Sequence, residues 1–65
     1  MIVDKIKELS ILNTLIIKSS GKIKQNHIQE FEILSNEIKN EIGEFEFLKI
    51  IGSDEYKELC SKNEN

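Results

Sequence analysis

From Leu9 to Ile17 the chain reads Leu-Ser-Ile-Leu-Asn-Thr-Leu-Ile-Ile, more apolar side chain than one face of a short helix can bury. Ile2, Ile6, Leu9, Leu12 and Ile16 recur at spacings of four, three, three and four, so they share one helical face. Ile11 and Leu15 fall almost opposite that face. A chain of 65 residues has room for one small core, and chains of this size bury only about 60% of the surface they expose when unfolded. The surplus at Ile11 and Leu15 therefore needs a cover, either a later helix of the same chain or another protein.

Other routes to stability are closed by composition. Cys60 is the one cysteine and His27 the one histidine, which excludes an internal disulfide and a clustered Cys/His metal site. What remains is helix packing and association. Ile, Glu and Lys dominate, Asn is common, and Ala, Arg, Pro and Trp are absent. Ile, Lys and Asn have AT-rich codons, which suits a low-GC bacterium, its phage or a plasmid. The missing Arg is then partly mutational and says little about phosphate binding.

The stripe from Ile2 to Ile16 predicts a first helix over 2–18, with Asp4 and Lys18 placed to suit its dipole. Ser19-Ser20-Gly21 reads as a stop, with Gly21 able to turn left-handed. A β-hairpin over 14–24 is the competing reading, since its Ile-rich flanks favour strand. A second helix over 26–42 or beyond follows, with Asn26 as its cap and Ile28, Phe31, Leu34, Ser35, Ile38, Ile42 and Phe45 as its stripe. Gly43 either sits inside this helix or ends it. Phe45 to Ile51 fits strand or helix. Ser53-Asp54-Glu55 reads as the cap and acidic first turn of a short helix carrying Tyr56, Leu59 and Cys60.

The expected fold is all-α: an antiparallel helical hairpin plus a short C-terminal helix, completed by dimerisation into a helical bundle. One domain spans 1–60, and 61–65 forms a frayed polar tail. If the second helix continues through Gly43, Phe47 and Ile51 join Ile33 on the side away from the stripe. Ile11, Leu15, Ile33, Phe47 and Ile51 are thus the expected partner or dimer interface.

Glu30, Glu37, Glu41 and Glu44 fall on one side of the second helix, a solvated face or an acidic surface for a basic partner. His27 and Glu30 have the i, i+3 spacing of some helical metal ligands, but the companion carboxylates of such sites are missing, so no metal is expected. Cys60 reads as a small packing residue, without a second histidine as base. Lys18, Lys22, Lys24, Gln25 and Asn26 make a polar, basic patch that a helix-turn-helix would set on a DNA backbone. Glu30 and Glu32, just beyond, and the net charge of −3 argue against nucleic acid.

Leu34-Ser35-Asn36-Glu37-Ile38 resembles the Ser-Gln-Glu-Leu-Asp signature of the small aspartyl-phosphate phosphatases that act on sporulation response regulators. That resemblance implies a helical hairpin that docks onto a larger protein. Asn36 stands where the family carries Gln, and Lys39 where it carries an acid, so the phosphatase activity is not carried over. Phe31 to Lys39 is similar in the same general way to the second helix of a sporulation-checkpoint kinase inhibitor.

No catalytic set, cofactor or metal is expected. Lys5 and Lys7 before an apolar run imitate a secretion signal, but Asp4 and Glu8 spoil the basic region, and Ser10, Asn13 and Thr14 interrupt the apolar one. No stretch approaches the roughly 20 apolar residues of a membrane span. The expectation is a cytoplasmic, non-enzymatic regulator or inhibitor, phage- or mobile-element-encoded, that docks onto a larger host or defence complex. A small DNA-binding regulator and a phosphatase-like sporulation regulator are the alternatives.

Overall fold

The computed structural model describes residues 2–63. They form four helices: α1 (Ile2–Lys18), α2 (Gly21–Ile42), α3 (Glu44–Ile51) and α4 (Asp54–Asn63). No strand occurs among the described residues, so the 14–24 hairpin does not form. The 3.6-residue pattern entering from Ile2 outweighs the local strand preference of the isoleucines.

The end of α1 is closed by the Ser19 N–H, which donates to the Leu15 carbonyl at 3.0 Å. Ser20 is extended, and Gly21 takes a positive φ of 63° that a side chain would disfavour. The connection is therefore two residues long, and α2 begins at Gly21, not at Asn26. Lys22-Ile-Lys-Gln holds no breaker, so nothing delays the helix, and Asn26 lies inside it.

Lys5 meets Glu41 at 3.3 Å and Glu37 at 3.8 Å, so the start of α1 lies beside the end of α2. The two helices are antiparallel. Leu9 and Leu12 of α1 pack with Leu34 and Ile38 of α2, joined by Phe47 and Tyr56. Each such side chain contributes about 1.5–3 kcal/mol by leaving water.

Gly43 separates α2 from α3 by a single residue. Its N–H donates to the Lys39 carbonyl at 2.7 Å, and its own carbonyl accepts from Phe47 N–H at 3.1 Å. Its backbone, φ 89° and ψ 158°, lies in a region open essentially to glycine alone. The break resets the helical register. Had α2 continued, Phe45 would have extended its core stripe and Phe47 would have faced away. The structure does the reverse: Phe47 is 5% exposed and Phe45 76% exposed.

Ser53 joins the end of α3 to the start of α4. Its hydroxyl donates to the Ile50 carbonyl at 2.6 Å and accepts the Tyr56 N–H at 3.2 Å. α4 runs through Asn63, three residues into the expected polar tail. Asn63 is held there by donating from Nδ2 to the Ser10 hydroxyl at 3.0 Å. The rest of that tail, 64–65, lies outside the described residues.

α4 packs on α1 and α3 on α2, and the two touch each other. Together they cover one side of the α1–α2 pair. The shortest dimension of the molecule is 19 Å, two helix thicknesses.

Candidate functional site

Three exposed apolar residues, one group among several, fall on the other side of the α1–α2 pair. Ile11 is 48% exposed, Leu15 39% and Ile33 61%. A helix does fold back on α1, yet it misses Ile11 and Leu15. The reason lies in where its polar partners stand. Asn13 donates from Nδ2 to the Cys60 sulfur at 3.5 Å, and Ser10 receives Asn63. α4 is thereby held on the Ser10–Asn13 side of α1.

A cleft of about 320 Å³ runs between α1 and α2 on this open side, lined by Glu8, Leu12, Glu30, Ile33, Leu34 and Glu37. Leu12 and Leu34 are buried and form its floor; Ile33 stands exposed beside them. Helical spacing puts Ile11 one turn and Leu15 two turns beyond Glu8, along the same shoulder of α1.

Of the five expected interface residues, Ile11, Leu15 and Ile33 are on this side. Phe47 is not: it belongs to the core, because the Gly43 break turns it inward. Ile51 is partly buried and packs against that core. Phe45, expected in the core stripe, is exposed with Leu48 on α3.

The acidic set is also redistributed. Glu30 and Glu37 line the cleft, Glu41 pairs with Lys5, and Glu44 belongs to α3 beyond the break. Glu8 completes the rim from α1. Its spacing of three and seven from Ile11 and Leu15 is the sequence signal that marks it.

Two further clefts, each about 370 Å³, lie elsewhere. One is lined by Ile6, Ile50, Tyr56 and Leu59 with Glu46, Lys49, Ser53 and Glu55 around it. The other lies between α2 and α3 at Phe31, Ser35, Lys39, Phe47 and Ile51. In the first, burial raises the Tyr56 phenol above the ordinary tyrosine range, and the neighbouring Cys60 thiol adds to the rise. The Tyr56 hydroxyl is enclosed, with the Cys60 thiol as its polar neighbour.

His27 is half-buried with Nδ1 enclosed and unpartnered, whereas Glu30 is exposed. Among the described residues no group of three or more His, Cys, Asp or Glu side chains is arranged to hold a metal ion. No helix among them is long and apolar enough to cross a membrane. In the Leu34–Ile38 segment, Leu34, Ser35 and Ile38 are buried, leaving Asn36 and Glu37 to solvent.

No family model matches the chain, and no curated protein or solved structure shows significant similarity to it.

Proposed function

We propose that this chain is a small non-enzymatic regulator or inhibitor that works in the cytoplasm by docking onto a larger protein. The observation that carries this reading is the uncovered side of the α1–α2 pair. Ile33 is exposed at a cleft whose floor is apolar, and Ile11 and Leu15 are exposed farther round α1. Isolated exposed apolar residues are ordinary, but an exposed apolar side chain over an apolar cleft rimmed by charge supports an interface reading. The size and amino-acid composition of the chain, rich in Ile, Lys and Asn, fit a phage or mobile-element product aimed at a host or defence complex.

Capture from the source cell tests this. The native chain and the Ile11→Lys/Ile33→Lys variant serve as paired baits, with far-UV circular dichroism to show that both are helical. A protein retained by the native bait and lost with the variant is the expected result. Identical captures by both baits would sink the reading.

Self-association is a second reading, favoured by the same three residues. It predicts a mass of two chains in sedimentation at high micromolar concentration. A monomer under those conditions removes it.

A further inference from the structure

We propose that the open α1–α2 groove seats a basic amphipathic helix of the partner protein. The proposal rests on the docking reading and specifies the chemistry of what docks.

Three observations converge on it. First, the floor of the groove is apolar, Leu12 and Leu34, with Ile33 exposed at its wall. Second, its charged lining is of one sign: Glu8, Glu30 and Glu37, with no lysine among the six lining residues. Glu37 is shared with Lys5 at 3.8 Å, while Glu8 and Glu30 have no ion pair among the described residues. Third, α3 and α4 already cover the opposite side of the same helix pair. The groove is the side left for an incoming element.

An apolar rail between carboxylates complements a helix whose apolar stripe is flanked by Lys or Arg. Glu30 and Glu37 stand two turns apart on α2, about 10 Å along the axis, so the groove accommodates two to three turns of such a helix. A second copy is a poorer occupant. A two-fold interface sets one patch against its own equivalent, which would bring this acidic rim against itself. Like charges face to face in a desolvated contact oppose association.

The test is a ¹⁵N–¹H NMR titration of the full chain with two synthetic peptides of about 14 residues, roughly four helical turns. Both carry the same leucine stripe; one is flanked by lysines and the other by glutamates. The lysine peptide is expected to shift the amides of Leu12, Glu30 and Ile33. It should bind at least about tenfold more tightly than the glutamate peptide and weaken as salt is added. The Glu8→Lys/Glu30→Lys variant, altered only at exposed positions, should reverse the preference. The peptide comparison on the native chain stands even if that variant fails to fold.

Equal binding of both peptides in the groove would overturn the charge assignment and leave the docking reading intact. Shifts confined to the cleft at Ile6, Tyr56 and Leu59 would overturn the site. Concentration-dependent dimerisation that broadens the groove amides would give the groove to a second copy. The docking reading itself stands or falls separately, on the paired-bait capture.

Discussion

The Lys39 ammonium lies 5.1 Å from the centroid of the Phe47 ring, bridging α2 and α3 across the Gly43 break. Phe47 fills the core while the lysine lies over its face. Replacing Phe47 with Ala should cost about 3–5 kcal/mol, the usual loss for a buried aromatic. Lys39→Gln removes only the cation–π contact and should cost about 0.5–1 kcal/mol. Phe45→Ala, at a 76% exposed position, should stay within about 0.5 kcal/mol. Urea unfolding followed by far-UV circular dichroism measures all three. A larger loss at Phe45 than at Phe47 would mean that α3 is turned the other way.

Gly43 is required for its backbone, not for space. Nothing lies within 4 Å of a Cβ built there, yet φ is +89°. Gly43→Ala should therefore destabilise by about 1–3 kcal/mol through backbone strain alone. A synthetic chain with D-alanine at this position, which accepts positive φ, should recover most of the loss. Equal stability of the two alanine epimers would contradict this geometry.

Ile38 is fully buried and Ile33 is 61% exposed, although both lie on α2. Ile38→Ala should cost about 2–5 kcal/mol, enough to unfold much of a marginal domain. Ile33→Ala should change stability by less than about 0.5 kcal/mol. Thermal melts of the pair give the contrast. A comparable loss at Ile33 would mean that this side chain is covered in the isolated chain.

Tyr56 gives a pH dependence whose sign follows from its environment. Burial raises its phenol pKa above the ordinary tyrosine value of 10.0, so the folded state holds the proton after the unfolded state has lost it. The contribution is fully present below about pH 10 and is lost as pH rises beyond it toward the folded pKa. Tyr56→Phe should flatten the fall in stability above pH 10 relative to the native chain, the lysine titrations being common to both. Near pH 7 the same change should cost about 1 kcal/mol or less, because the enclosed hydroxyl has only the Cys60 thiol beside it. Parallel curves for the two proteins at alkaline pH would refute the assignment.

The seam between α1 and α4 is more polar than the rest of the interior, with Ser10, Asn13, Cys60 and Asn63 meeting there. Leu9, Leu12, Leu34 and Ile38 instead join α1 to α2. Native-state hydrogen exchange should show the α4 amides opening at lower free energy than those at the centres of α1 and α2. Uniform protection across all four helices would show that the domain opens only as a whole.

Much of the secondary structure was legible because it depends on neighbours in sequence. The Ile2–Ile16 stripe specifies α1, the Ile28–Ile42 stripe specifies most of α2, and Ser53 announces α4 through a hydroxyl three residues from the N–H it accepts. Even the separation of Ile11 and Leu15 from the core follows from 100° per residue. The early start of α2 was hidden because the absence of a breaker before Asn26 leaves no mark.

What tertiary structure decided was orientation after a break and cover after a turn. Sequence alone establishes that Gly43 can interrupt a helix; it does not specify the 89° φ that places Phe47 inside and Phe45 outside. Nor does it say which flank of α1 the last helix will take, since Ser10 and Asn13 become anchors only when Cys60 and Asn63 arrive beside them. Periodicity fixes faces within a helix, because φ and ψ repeat there. Across a glycine the repeat is lost, and long-range packing alone selects which face is buried and which is left for a partner.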